Sequence, residues 1–254
     1  MSLKNKDLQM KRLAVFPFLV LLATAVPAWA QVPDEVIEKI KPSVVVIYCD
    51  NGTGTGYIIN ARGDILTNYH ICSASSQRWV RLYDGRKFEA TRVYVWEPKD
   101  MVILRLAPDL SGDRKPFPYL PLNDTMWIAN DSAVAAIGHS KHGLWQVIKG
   151  RVKSKDHYVK YQPTILYGFS GSPLINERGY VVGLNIGSDN RDISVEQDGF
   201  YSSAITLNDV QEFLDYFYGK KTVAKQEPPV PSIDIFADKC VWQKTEEGQW
   251  CRHE

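Results

Sequence analysis

The chain has 254 residues, 30 of them basic and 29 acidic, for a formal net charge of +1. Apolar residues make up 44% and charged residues 23%, a globular balance that excludes a collagen-like, disordered or coiled-coil chain. The even charge leaves no basic footprint for nucleic acid, and 4 cysteines are too few for a disulfide-built scaffold.

The first thirty residues differ from the rest. Lys4, Lys6, Lys11 and Arg12 outweigh Asp7, Leu13 to Ala30 carries no charge, and Ala28-Trp29-Ala30 is a small-x-small triplet. This pattern predicts a secretory signal peptide over residues 1–30, with Met10 as a possible alternative start. Pro17 and Pro27 interrupt the apolar run, and its 18 residues fall short of the ~20 that span a bilayer. No stable membrane insertion is expected after cleavage. The expected location is periplasmic or secreted, where disulfides persist.

Residues 31–42 read as a short amphipathic helix, with Val36, Ile37 and Ile40 on one face and Pro42 as its stop. Short apolar runs then alternate with turn signals. Strands are expected at Ser43–Cys49, Tyr57–Ile59, Ile65–Asn68, Trp79–Tyr83, Lys87–Val95 and Met101–Leu106, with a Gly/Asn turn over Asn51–Gly56 and a hairpin at Asp84-Gly85. A linker rich in Pro, Asp and Gly covers 107–125. Further strands are expected at Ser132–Ile137, Trp145–Val152, Tyr158–Tyr161, Tyr180–Ile186 and Gly199–Ala204. A helix follows, with Asn208 as N-cap, an apolar face of Val210, Phe213, Leu214 and Phe217, and Gly219 at its end. Two groups of about six short strands, closed by a helix, predict an all-β protein of two antiparallel β-barrels, because closure leaves no strand edges bare. The expected organisation is signal peptide 1–30, globular domain 31–220 and a Pro-rich tail 221–254 ending in Cys240 and Cys251.

Three segments carry chemistry. In Gly168-Phe169-Ser170-Gly171-Ser172-Pro173-Leu174, glycines around a serine allow the backbone to turn its amide N–H groups toward one point. A serine hydroxyl is a poor nucleophile without a base and a site for the oxyanion; the Gly168 and Ser170 amides are the candidates for that site. In Thr67-Asn68-Tyr69-His70, the histidine ends a strand, and an imidazole with an ordinary pKa of ~6.5 is available as a base near neutral pH. In Lys99-Asp100-Met101-Val102, an acid enters an apolar strand, a costly placement unless the carboxylate is paired; pairing with His70 would set the ring's tautomer. The order His70, Asp100, Ser170, split between the two strand groups, predicts a triad in a cleft between two barrels. No metal or cofactor is required. His139 and His142 lack a third clustered ligand for zinc and are expected in a solvated loop. Trp79, Trp96, Trp127 and Trp145 are expected to pack in the barrels.

From about Val36 to Phe217 the sequence resembles the trypsin-like serine proteases, and among them the HtrA-type enzymes. VIEKIKPSVVVI, GTGYII at Gly54–Ile59, TNYH at Thr67–His70, DMVIL at Asp100–Leu104, AAIGHS at Ala135–Ser140, GFSGSPL at Gly168–Leu174 and GYVVGLNIG at Gly179–Gly187 carry the likeness. The resemblance implies two six-stranded barrels, serine endopeptidase activity on proteins or peptides, and the triad roles above. It places the substrate pocket at Thr164, Tyr167, Asn185 and Gly187. Thr164 is not the acid of Arg/Lys-specific relatives and Asn185 is not the histidine of Glu-specific ones, so a neutral, small to medium residue is expected there. It also implies the pairings Cys49–Cys72 and Cys240–Cys251, among the three that four cysteines allow. The sequence departs from the family at Tyr69, Phe169 and Ser172. The 34 residues after Lys220 are too few for the PDZ domain usual in HtrA-type proteins.

The alternative is a peptide-binding module of the same fold with little turnover, its cleft occluded by Tyr69 and Phe169. An α/β-hydrolase esterase is disfavoured, because the Gly-x-Ser-x-Gly elbow is absent and the serine comes last rather than first.

Overall fold

The structure is a computed structural model that describes residues 31–50, 52–108, 116–120, 122, 128–189, 194–195 and 197–221. The expected signal peptide, Trp127 and the Cys240–Cys251 pair lie outside the described residues. A short helix α1 (Asp34–Ile40) leads into β1 (Val44–Cys49), β2 (Gly52–Ile58), β3 (Asp64–Thr67), β4 (Arg78–Arg81), β5 (Lys87–Trp96) and β6 (Met101–Leu106). The second group is β7 (Ala133–Ser140), β8 (Gly143–Lys155), β9 (Tyr158–Gln162), β10 (Pro173–Asn176), β11 (Val181–Ser188) and β12 (Ser202–Thr206), followed by helix α2 (Leu207–Phe217). Each group closes into an antiparallel six-stranded barrel. The orders are β1-β2-β3-β6-β5-β4 and, read from β7, β7-β8-β9-β12-β11-β10. The second barrel thus repeats the first's connectivity without an internal sequence repeat.

Strands such as β6 and β7 are apolar on both faces because each face has a core to fill. Along β6, Val102, Leu104 and Leu106 line the interior of the first barrel, while Met101 and Ile103 face a second core. On β7, Val134 and Ala136 enter the second barrel, and Ala135 and Ile137 turn to the same shared core. That shared core lies between the barrels and takes in Ile37 and Ile40 of α1 and Val210, Phe213 and Leu214 of α2. Runs such as Met101–Leu106 therefore read as continuous apolar stretches, as strands buried on both sides do. Among the described residues no helix is long and apolar enough to cross a membrane.

Four local expectations change. Gly52–Ile58 is a strand, not a turn followed by a strand. Gly54 and Gly56 sit where side chains of neighbouring elements come close: a Cβ on Gly56 would lie 2.7 Å from Ile65, and one on Gly54 would lie 2.6 Å from Ile71. β10 was hidden in the serine motif, since it is only 4 residues long and begins with proline. The cap of α2 is Thr206, whose hydroxyl accepts the Asp209 N–H, rather than Asn208. Of the tryptophans, Trp96 stacks on Phe213 and Trp145 lies edge-on to His139, but Trp79 is exposed.

Candidate active site

β3 and β6 are neighbours, with Thr67 opposite Val102. This register brings the residues just after β3 beside those just before β6. His70 lies in a 3-10 turn over Tyr69–Cys72, and Asp100 takes a left-handed conformation (φ 52°, ψ 43°) before β6. Asp100 then receives the whole segment. Its carbonyl accepts from the Asn68 side-chain amide (3.1 Å) and the Tyr69 N–H (3.2 Å). One carboxylate oxygen accepts the His70 N–H (2.8 Å), and the other lies 2.6 Å from His70 Nδ1. With Nδ1–H donated to the carboxylate, the neutral ring presents Nε2 as its acceptor. The far end of the turn is tied to β1 by the Cys49–Cys72 disulfide. Tyr69 is half-buried, with Arg92 over its ring at 5.2 Å.

Ser170 sits in the loop between β9 and β10. Gly168 (φ 98°) and Gly171 (φ 81°) both hold left-handed conformations that suit glycine. The amides of Phe169, Gly171 and Ser172 donate to Leu166 (3.1 Å), Asn185 (2.8 Å) and Phe169 (2.9 Å) carbonyls. Those of Gly168 and Ser170 meet no acceptor among the described residues. The Ser170 hydroxyl donates to the Ile186 carbonyl at 2.6 Å, and no hydrogen bond joins it to His70 among the described residues.

The serine loop is pressed against the first barrel. Thr55 N–H donates to the Ser170 carbonyl (2.9 Å), and the Thr55 hydroxyl donates to the Gly168 carbonyl (2.8 Å). A Cβ on Gly171 would collide with the Thr55 carbonyl and the Thr67 hydroxyl and come within 3.1 Å of Ile71, the residue after His70. The serine motif and the histidine turn therefore meet across the barrel seam. Phe169 is fully buried in the second barrel's core, against Gly138. It does not occlude a cleft, which removes half of the sequence rationale for an inactive module.

The expected pocket residues divide. Tyr167 is 61% exposed at the start of the serine loop, whereas Thr164 and Asn185 are fully buried. Thr164 Oγ1 accepts the Val195 N–H at 2.9 Å. Asn185 is a strut beneath the serine: its side chain accepts from the Tyr161 hydroxyl (2.6 Å) and donates to the Ser172 hydroxyl (2.9 Å). Burial pushes the Tyr161 hydroxyl well above its ordinary pKa, so it remains a donor. Gly187 lies on β11 opposite Ser203.

His139 is not in a solvated loop. It is buried at the end of β7. Its Nδ1 accepts the Trp145 N–H (3.0 Å), and its own N–H donates to Thr55 Oγ1 (3.1 Å). Burial, which outweighs the Val45 carbonyl, lowers its pKa to about 4. Among the described residues no cluster of three metal-ligating side chains occurs. Thr55 and His139 carry no catalytic signature in sequence; the alternation Gly-Thr-Gly-Thr-Gly was the only mark of the close approach at Thr55.

A family model described as trypsin-like peptidase domain matches residues 54–184, more than half of the chain. The chain belongs to the trypsin-like peptidase family. Within that family it is 33% identical over 143 residues to a probable periplasmic serine endoprotease DegP-like of Hahella chejuensis, covering 52% of this chain and 29% of the relative. It is 29% identical over 205 residues to the mitochondrial serine protease HTRA2 of Bos taurus (71% and 42% covered), and 28% identical over 218 residues to the serine protease HTRA3 of Homo sapiens (74% and 45% covered). The chain thus spans less than half the length of these family members.

Proposed function

We propose that this trypsin-like chain is an exported serine endopeptidase, with residues 31–220 as its peptidase domain. Asp100 orients His70, and His70 Nε2 takes the Ser170 proton as the hydroxyl attacks a peptide carbonyl. The Gly168 and Ser170 amides hold the oxyanion. His70 then protonates the leaving amine, and water, deprotonated by the same ring, hydrolyses the acyl-enzyme. The observation that carries this reading is the meeting, across one seam, of a paired His70–Asp100 and a serine whose own amide and that of Gly168 find no acceptor among the described residues. Ser170's resting bond to Ile186 is compatible with it, because hydroxyls turn about a single bond and catalytic contacts often tighten only when substrate binds. Protein or peptide substrates follow, and the absence of an acid at Thr164 supports a neutral residue before the scissile bond. Export is supported by the character of residues 1–30, by the Cys49–Cys72 bridge, and by relatives named periplasmic.

The test is labelling by a fluorophosphonate probe together with hydrolysis of fluorescent casein. Wild type is expected to label and cleave, and Ser170→Ala to do neither, losing on the order of 10⁴–10⁶-fold in turnover. Equal labelling of both chains, or of neither, would refute the mechanism.

A further inference from the structure

We propose that the Thr55 hydroxyl is a positioning group for the oxyanion site, holding from the first barrel a loop that belongs to the second. The inference rests on the reading of Ser170 as nucleophile and of the Gly168 and Ser170 amides as the oxyanion donors.

Thr55 is fully buried, and all its polar atoms are engaged at this seam. Its N–H donates to the Ser170 carbonyl at 2.9 Å, and its hydroxyl donates to the Gly168 carbonyl at 2.8 Å. The same hydroxyl accepts the His139 N–H at 3.1 Å, and the Thr55 carbonyl accepts the Thr67 hydroxyl at 2.6 Å. Because peptide units are planar, these bonds act on whole peptides. The hydroxyl fixes the peptide from Gly168 to Phe169, and the N–H fixes the one from Ser170 to Gly171. The peptide between them carries the Ser170 N–H. The peptide just before them carries the Gly168 N–H. The two unpaired amides are thus set by neighbours that Thr55 clamps.

The hydroxyl is also matched at both ends. The donated His139 N–H directs its lone pair, so its own proton points to Gly168. Substituting an isostere without the oxygen would strand a part-buried carbonyl and a buried N–H together. The loop would then relax by turning the Gly168 peptide, which its glycine conformation permits. A displacement of about an ångström in oxyanion donors can cost on the order of 10²-fold in rate.

The test compares Thr55→Val, Thr55→Ser and Ser170→Ala in fluorescent casein hydrolysis and in the rate of fluorophosphonate labelling. Thr55→Val is expected to lower kcat and the labelling rate by about 10–100-fold with KM within about twofold, and Thr55→Ser to restore both to within about threefold. A Thr55→Val chain with wild-type kcat, or a Thr55→Ser chain as impaired as Thr55→Val, would overturn the inference. Labelling of Ser170→Ala at the wild-type rate would instead overturn the nucleophile and the inference together. Should Thr55→Val not fold, proton NMR of the unaltered chain decides: an exchange-protected Thr55 hydroxyl proton with a cross peak to the Gly168 Hα protons is expected, and its absence overturns the proposal.

Discussion

His70 and Asp100 belong to one barrel and are joined by side-chain contacts, with the carboxylate taking both the backbone N–H and the ring nitrogen of the histidine. Ser170 bonds to neither of them. Its loop is held by the N–H and hydroxyl of Thr55 in the other barrel, which donate to two of its carbonyls, and by the burial of Phe169 in its own. The first half is therefore an electrostatic device on a disulfide-braced turn, and the second is a packing device. They should fail under different insults. Charge changes should remove activity without unfolding the first half, and volume changes should unfold the second.

The strongest way to break this contrast is Asp100→Asn. The backbone is kept, but the ring loses the carboxylate that fixes its proton on Nδ1, and kcat is expected to fall by about 10⁴-fold with little change in urea midpoint. A loss of stability larger than the loss of activity would contradict the electrostatic assignment. On the packing side, Phe169→Ala should destabilise the fold by about 3–5 kcal/mol, read from urea unfolding. If Phe169 occluded the cleft instead, this change would raise activity at little cost to stability.

His139 sharpens the comparison at the seam. Its folded pKa is about 4, against ~6.5 in the unfolded chain, so the unfolded state binds the extra proton between these values. Stability is expected to be independent of this group above pH 6.5 and to fall by about 3 kcal/mol as pH drops to 4. Protonation also removes the acceptor for the Trp145 N–H. The His139→Gln chain should show a shallower acid limb in unfolding titrations; an unchanged limb would place the titration elsewhere. Last, replacing Cys49 and Cys72 by serine releases a loop of 23 residues' separation and should cost about 3 kcal/mol in the chain-entropy account. Reductant should lower the urea midpoint of the wild type by the same amount and leave the double variant unmoved.

Much of this was legible in the residues. Apolar runs broken by turn signals located most strands of both barrels, and the histidine and aspartate segments named two residues that pair, with the serine loop set against the same turn. What stayed hidden depended on partners distant in sequence. Gly52–Gly56 has turn composition, yet it pairs along β1, and at Gly54 and Gly56 the close approach of Ile71 and Ile65 leaves no room for a side chain. Phe169 looked like an obstruction because its direction is set by the space that Gly138 leaves. His139 looked solvated among polar neighbours, yet β7 carries it into the seam. Thr55 bears no catalytic chemistry of its own, and its contacts with Gly168 span 113 positions.

The left-handed backbone at Asp100 has a consequence for anyone altering this position. Only glycine, asparagine and aspartate enter that region at small cost, and of these only aspartate is anionic. Local sterics and the pairing with His70 thus converge on a single monomer. Glutamate, the nominal homologue, would meet a backbone cost of about 1–2 kcal/mol before its longer reach came into play.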